Sequence, residues 1–221
     1  MTDATPALEV DARLRRGALD LRVTCAVEPG RPLAVLGPNG VGKTSLLRAV
    51  AGLDAVASGR VRCAGRVWDD AATGTFVPPE RRRVGVVFQD HRLFGHLSVR
   101  QNVAFGPSVR GAGRRAAEAR ADAVLAELGI EHLAARRPAE LSGGQSQRVA
   151  VARALATDPV ALLLDEPLSA LDTTARGEVR TWLRATLERL ACPVLLVTHD
   201  PADVDALADD ELRLPATRTD S

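Results

Sequence analysis

One short stretch limits the fold of this chain more than any other, and it reads Gly37-Pro38-Asn39-Gly40-Val41-Gly42-Lys43-Thr44. It follows the apolar run 33–36 and precedes a helix-like segment that starts at Ser45. A glycine-rich turn between a strand and a helix lets backbone N–H groups face inward and form a concave site for phosphate oxygens. The N-terminus of the following helix adds partial positive charge there. The stretch therefore predicts a phosphate-binding loop in an α/β fold.

The last residues of this loop carry its chemistry. Lys43 is expected to reach the outer phosphates of a nucleotide as a compact cation, and the hydroxyl of Thr44 to face magnesium, with Ser45 beside it. Lys43 is also the only lysine in a chain rich in arginine. A lone lysine at this position suggests a site where a planar guanidinium would not serve.

Three apolar segments downstream, 84–88, 160–164 and 193–197, predict buried strands. Each is followed closely by polar residues: Gln89, the pair Asp165-Glu166, and His199. Because parallel strands end at one edge of a sheet, these side chains are expected to meet at the phosphates. That set predicts hydrolysis of a nucleotide.

Each polar residue has an expected role. Asp165 is expected to hold magnesium directly or through water, and Glu166 to act as general base on the attacking water. Gln89 is expected to bridge magnesium and that water, and His199 to contact the γ-phosphate as a neutral donor. The alternatives are a strand-end cap for Asp165-Glu166 and an ordinary strand-end histidine for His199.

The remaining segments predict the surroundings of this site. Alternation over 19–27 and 61–67 predicts two strands of a small antiparallel sheet. The basic triplet 81–83 is interpreted as a solvated face. From 90 to about 138 the apolar spacing is helical, which predicts a helical lobe inserted between strands of the core. Asp172 is expected to cap the helix that follows it.

Composition excludes several classes of protein. A net charge of +1 and 3% aromatic residues give no reason to expect a nucleic-acid partner. Three dispersed cysteines fit a reducing cytosol. The chain has no signal-peptide pattern and no run of the roughly 18 apolar residues that span a bilayer. If the protein works at a membrane, we expect another chain to cross it.

The segment Leu141-Ser142-Gly143-Gly144-Gln145 is identical to the signature of ATP-binding cassette (ABC) ATPases. The order of motifs is also similar to that family: phosphate loop, Gln89, signature, Asp165-Glu166, 169–172, His199. The resemblance covers about residues 8–214. It implies a RecA-like P-loop NTPase core (8–89 and 158–214) with a small antiparallel β-subdomain, an inserted α-helical signature subdomain (90–157) and a frayed tail (215–221).

The resemblance also implies cofactors and partners. They are ATP with Mg²⁺, a second copy of the chain in a head-to-tail homodimer, transmembrane permease subunits, and indirectly a solute-binding protein. Ser142, Gly143, Gly144 and Gln145 would act on the nucleotide of the partner, and Asp172 would lie at the dimer interface. A single chain would then hydrolyse ATP poorly. The stretch 89–102 would form a groove for a short permease helix, at the cytoplasmic face of the membrane.

Within the family, residues 78–94 look most like the ATPases of molybdate importers. Sulfate, spermidine/putrescine, iron and thiamine importers share looser versions. The family usually stacks an aromatic residue on adenine, but none precedes Gly37; Arg15 or Arg16 is expected to stack instead. A C-terminal regulatory β-domain, frequent in molybdate importers, is not expected. Two other readings are a soluble ABC ATPase acting on DNA or ribosomes, and a catalytically inactive regulatory binder.

Overall fold

The computed structural model of the chain describes residues 8–215, and these residues form two β-sheets with helices around them. The antiparallel sheet contains β1 Leu8–Arg16, β2 Leu19–Val27, β4 Ser58–Cys63, β5 Arg66–Asp70 and β6 Thr75–Phe76, in the order β2-β1-β4-β5-β6. The parallel sheet contains β3 Leu33–Leu36, β7 Val84–Val87, β8 Ala161–Asp165, β9 Val194–Val197 and β10 Asp210–Arg213, in the order β10-β3-β9-β8-β7.

Seven α-helices are present among the described residues. They are α1 Lys43–Ala51, α2 Pro79–Arg82, α3 Val99–Val109, α4 Arg114–Glu127, α5 Gly143–Leu155, α6 Thr173–Leu187 and α7 Pro201–Leu207. Two 3₁₀ turns, Glu131–Leu133 and Pro138–Glu140, connect α4 to α5. The side chain of Asp172 accepts from the backbone N–H groups of Thr174 and Ala175, so its predicted cap on α6 is confirmed.

The parallel sheet is buried on both faces, which explains why its central strands are continuous apolar runs. Along β8, Leu163 packs with α1 and the antiparallel sheet, whereas Leu162 and Leu164 pack with α5 and α6 on the opposite face. The carboxyl ends of β3, β7, β8 and β9 therefore lie along one edge, as the sequence predicts.

The antiparallel sheet differs from the expectation in its strands. The prediction of a single strand over 61–67 is wrong, because β4 ends at Cys63 and β5 begins at Arg66. Between them Ala64 and Gly65 both have left-handed backbone angles, with φ of 49° and 72°. Two consecutive residues of positive φ make the tight hairpin turn that reverses the chain.

The basic triplet 81–83 is only partly the solvated face that its composition suggests. Arg81 and Arg83 are exposed, but Arg82 is 1% exposed. Its Nη1 donates to the carbonyl oxygens of Ala49 and Val50 at 2.6 and 3.0 Å. A buried guanidinium thus adds donors to carbonyl groups at the C-terminus of α1, where Ala49 O also accepts from the N–H of Gly52.

Helices α3, α4 and α5 share a separate apolar core, formed by residues such as Val103, Leu125 and Val149. The expected helical lobe between β7 and β8 is therefore present. Its exact division from the rest at 90 and 157 stays a prediction. Apart from Pro215, the expected frayed tail lies outside the described residues.

Candidate active site

The loop between β3 and α1 has the backbone geometry expected of a phosphate-binding turn. Gly37, Gly40 and Gly42 have φ of 152°, 80° and 109°, which side-chain-bearing residues rarely adopt. At Gly42 an added Cβ would also lie 2.9 Å from a methyl group of Leu21. Gly42 precedes α1 and offers no side-chain cap, so the first N–H groups of the helix can receive an anion.

Lys43 is held inside this loop. Its Nζ donates to the carbonyl oxygens of Gly37 and Pro38, at 2.7 and 3.1 Å. The residue is only 7% exposed, so its ammonium is fixed where the loop turns rather than extended into solvent. The arrangement places one positive charge beside the N–H groups that face the cleft.

Thr44 and Asp165 meet across the cleft, although they are far apart in sequence. The hydroxyl of Thr44 donates to Oδ1 of Asp165 at 3.4 Å, a long hydrogen bond. Burial raises the pKa of Asp165 above its usual range, the Thr44 hydroxyl lowers it, and the neighbouring Glu166 raises it again. Gln89 lines the same cleft.

These oxygen donors suit magnesium. Within residues 8–215, no three His, Cys, Asp or Glu side chains gather as a metal-binding group. The cleft instead presents a hydroxyl, a carboxylate and an amide oxygen. Mg²⁺ typically keeps waters and takes one or two carboxylates together with substrate phosphates, so Thr44, Asp165 and Gln89 fit the ion.

Glu166 and His199 form a hydrogen-bonded pair at the ends of neighbouring strands. Nδ1 of His199 lies 2.7 Å from Oε2 of Glu166. The Glu166 side chain is 13% exposed and that of His199 is 60% exposed. Because a carboxylate can only accept, the N–H of this bond belongs to His199. A buried carboxylate with one fixed partner can take a proton from water at this edge of the sheet.

The direction of the Glu166 side chain is set by its backbone conformation rather than by strand alternation. The strand β8 ends at Asp165, and Glu166 has a left-handed φ of 49°. Its N–H donates to Val197 O at 2.9 Å, and its carbonyl accepts from the hydroxyl of Ser169 at 2.9 Å. These bonds hold a non-glycine residue in a conformation that costs about 1–3 kcal/mol.

Expected site residues from three separated segments, the phosphate loop, Gln89 and the pair Asp165-Glu166, line one cleft of about 230 Å³. It is lined by Asn39, Gly40, Gly42, Lys43, Thr44, Ser45, Gln89, Asp165, Glu166 and Val197. Gly37 and Pro38 border it through their bonds to Lys43, whereas Val41 is buried in the core. His199 joins through Glu166.

The signature residues do not line this cleft. Ser142 caps α5: its Oγ accepts from the N–H of Gln145, and Gln145 Oε1 accepts from the N–H of Ser142. Ser142 and Gly143 are exposed. An added Cβ on Gly143 would lie 3.1 Å from Leu171, and one on Gly144 would lie 3.0 Å from Val179. The glycines thus let the start of α5 approach the 169–172 loop and α6 closely.

The stretch 89–102 borders a groove whose other wall was not predicted. Of this stretch, Arg92 and Phe94 line the groove, after Phe88 of the preceding segment. The opposite wall contains Phe105 on α3 and Arg153 on α5. The groove holds about 390 Å³ and continues into a hollow lined by Arg81, Arg83, Val109 and Arg110. Phe105 and Val109 are four residues apart and share one face of α3, but only the structure shows that this face is exposed.

The two arginines that are expected to stack on adenine, Arg15 and Arg16, lie beside carboxylates. Nε of Arg15 donates to Asp20 at 3.2 Å, and Nη1 of Arg16 lies 3.9 Å from Asp54. Both belong to the β1–β2 hairpin, from which Leu19 and Leu21 approach Gly42 of the phosphate loop. The stacking role of Arg15 or Arg16 stays a prediction.

A glycine-rich loop joins β3 of the parallel sheet to α1, which begins with Lys43 and Thr44, and Asp165 ends β8 of the same sheet. This arrangement defines a P-loop nucleotide-binding protein. Residues 21–169 match the family model described as "ABC transporter". The chain belongs to the ABC transporter family, which confirms the resemblance found in the sequence.

Three curated relatives are similar over most of the chain. The "Molybdenum import ATP-binding protein ModC" of Mycobacterium tuberculosis is 50% identical over 88% of this chain and 54% of its own. The "Spermidine/putrescine import ATP-binding protein PotA" of Pseudomonas fluorescens is 46% identical, covering 87% and 51%. The "Sulfate/thiosulfate import ATP-binding protein CysA" of Mycobacterium bovis is 46% identical, covering 90% and 56%. The chain thus spans about half the length of these relatives.

A solved structure shares the fold. That of cbiO1 from Clostridium perfringens, "part of the ABC transporter complex cbiONQ", superposes with a TM-score of 0.80. It is 31% identical, and the match covers 94% of this chain and 84% of that one. The P-loop fold class with its two sheets is therefore confirmed. Among residues 8–215, no helix has the length and apolarity to cross a membrane.

Proposed function

We propose that this chain is the ATP-hydrolysing nucleotide-binding subunit of an ABC importer, working with ATP and Mg²⁺. The observation that carries the proposal is the 2.7 Å bond between His199 and Glu166 beside Lys43, Thr44 and Asp165. It supports hydrolysis rather than binding alone, because it puts a positioned base next to the phosphate loop. The alternative, a catalytically inactive regulatory protein, has no comparable observation in its favour.

In this proposal the loop and Lys43 hold the phosphates. The N–H groups at the start of α1 donate to phosphate oxygens, and Lys43 exchanges its bonds to Gly37 and Pro38 for the outer phosphates. Thr44, Asp165 and Gln89 hold magnesium. When bound, magnesium neutralises charge on the phosphate oxygens and favours in-line displacement.

Glu166 acts on the attacking water. Its carboxylate accepts a proton as the water oxygen forms its bond to the γ-phosphorus, and the bond to the bridging oxygen breaks with its electron pair leaving on ADP. His199 orients that carboxylate through Nδ1. The expected contact of His199 with the γ-phosphate stays a prediction.

The second copy of the chain supplies the signature. Support comes from Ser142 and Gly143, which are exposed but do not line the cleft of their own chain. In a head-to-tail homodimer they would face the partner's nucleotide, with Gln145 capping behind them. Asp172, at the start of α6, would lie in the same interface.

The groove beside 89–102 is proposed as the docking site of the permease, which would hold the chain at the cytoplasmic face of the membrane. Its floor is apolar, with Phe88, Phe94 and Phe105. Arginines rim the groove and the adjoining hollow: Arg81, Arg83, Arg92, Arg110 and Arg153. This pattern suits a short amphipathic helix with an apolar face and acidic flanks.

For the transported solute we propose molybdate or a related oxyanion. The 50% identity to a molybdenum import protein supports this choice over spermidine/putrescine and sulfate, whose import proteins are 46% identical. Iron and thiamine are further alternatives. A solute-binding protein would deliver the cargo to the permease.

Reconstitution tests the solute. The chain, its permease and its solute-binding protein are placed in vesicles, and ATP turnover is compared with molybdate, sulfate and spermidine. Molybdate is expected to stimulate turnover more than equal concentrations of the others. Stronger stimulation by sulfate or spermidine would contradict the molybdate assignment without affecting the proposal of an importer ATPase.

A further inference from the structure

Helix α6 carries three arginines at four-residue spacing, and each pairs with an aspartate in the segment 200–209. Arg176 Nη1 lies 3.0 Å from Asp200, and Arg184 Nη2 lies 3.3 Å from Asp209. Arg180 Nε lies 2.8 Å from Asp203 between them. The three ion pairs hold α6 against the segment 200–209, which follows β9.

Arg176 differs from the other two because it also binds the loop after Glu166. Its Nε donates to Leu168 O at 3.1 Å, and its Nη2 donates to Ser169 O at 3.4 Å. The hydroxyl of Ser169 in turn donates to the carbonyl oxygen of Glu166 at 2.9 Å. One guanidinium thus holds the turn from which Glu166 projects.

The other end of the same guanidinium holds the backbone next to His199. Asp200 follows His199 directly, and its Oδ2 receives Arg176. Its Oδ1 accepts from the N–H of Ala202, and its own N–H donates to Thr198 Oγ1. Because the His199 ring is largely exposed, the fixed backbone on both sides and the bond to Glu166 determine where it lies.

We propose that Arg176 is a positioning residue for hydrolysis, which holds the Glu166 loop and the His199 backbone in register. The inference rests on the proposed ATPase function. Arg176 bridges two segments that have no covalent connection nearby, and its side chain is about 28% exposed, so its bonds are partly shielded from water. Arg184, two helical turns further along α6, contacts neither catalytic segment and is the matched control.

The test compares Arg176→Met with Arg184→Met in the purified chain, at a concentration that allows two copies to associate. Arg176→Met is expected to lower kcat for ATP about 10- to 100-fold, because small misplacement of reacting groups has large effects on rate. Its KM is expected to stay within about twofold of the unmodified chain, since the phosphate loop is untouched. Arg184→Met is expected to leave both constants nearly unchanged.

A second set of variants separates positioning from general destabilisation. Arg176→Lys keeps the positive charge but replaces the planar guanidinium with a compact ammonium. It is therefore expected to recover part of the kcat that Arg176→Met loses. The kcat of the double variant Arg176→Met with Asp200→Asn is expected to be no lower than that of the worse single variant, because both substitutions break the same Arg176–Asp200 ion pair. Thermal midpoints of Arg176→Met and Arg184→Met are expected to be similar.

Three outcomes would overturn the inference: equal kcat for Arg176→Met and Arg184→Met, additive losses in the double variant, or a kcat loss matched by loss of folded protein. An unmodified chain that binds but never hydrolyses ATP would contradict the proposed function instead. The two failures are therefore distinguishable in one assay.

Discussion

Nδ1 of His199 donates a 2.7 Å hydrogen bond to Oε2 of Glu166, across 33 positions of sequence. The bond exists because β8 and β9 are parallel neighbours, with Asp165 paired to Val197, so both chains leave the sheet at one edge. Glu166 turns through a left-handed backbone angle there. A carboxylate with a fixed partner thus lies beside the phosphate loop, and the proposed hydrolysis depends on that pair.

Lys43 is predicted to be irreplaceable by arginine. Its ammonium donates to two loop carbonyls at 2.7 and 3.1 Å, and a planar guanidinium presents its donors in a different, fixed geometry. Both Lys43→Met and Lys43→Arg are expected to weaken ATP binding about 10- to 100-fold, the worth of a charged hydrogen bond. Titration with a fluorescent ATP analogue measures this. Arg31→Met, at an exposed ion pair, is the control and should bind normally.

The signature is predicted to act on the partner's nucleotide. Ser142→Arg adds bulk at an exposed position, so each chain is expected to fold and bind ATP but fail to form the active dimer. Mixing it with Lys43→Met chains should restore part of the ATPase activity, because one composite site of the mixed dimer is then intact. Ser142→Ala controls for loss of the helix cap, worth about 1 kcal/mol. An inactive mixture would contradict action across the dimer.

Phe105 is predicted to contribute to binding of the permease in the groove. Phe105→Ala is expected to weaken association with the permease at least about 10-fold, as buried aromatic anchors do, while basal ATPase activity is unchanged. Leu53→Ala is matched in exposure, 42% against 43% for Phe105, but lies outside the groove. Pull-down of detergent-solubilised permease compares the two. Equal binding by both variants would argue for a different docking surface.

Arg82 is predicted to support the fold rather than a solvated surface. Arg82→Met leaves Asp69 buried without its cation and takes one donor away from several carbonyl oxygens, so the free energy of unfolding should fall by about 3–5 kcal/mol. Arg81→Met, at the exposed neighbour, should change it by less than about 0.5 kcal/mol. Urea denaturation measures both. Similar effects for the two would mean that the buried contacts contribute little.

Local patterns in the sequence predicted which residues of the loop and the strand ends gather at the cleft. The glycines of the loop and the polar residues after β7, β8 and β9 could be read without knowing the fold, because strand–turn–helix order fixes where they meet. Non-local contacts could not be predicted. The burial of Arg82 depends on where the end of α1 lies, and β10 has little apolar content and forms by pairing with β3. The Phe105 wall of the groove likewise depends on how α3 packs against α5.

The most direct test of the account is ATP turnover by Glu166→Gln. Glutamine keeps the size of the side chain and a hydrogen bond to His199 but is not a base. We expect ATP binding to stay within about twofold, turnover to fall by about 10²- to 10⁴-fold, the usual contribution of a general base, and an ATP-bound dimer to accumulate on size exclusion. Turnover at the unmodified rate would contradict the assignment of Glu166 as the base.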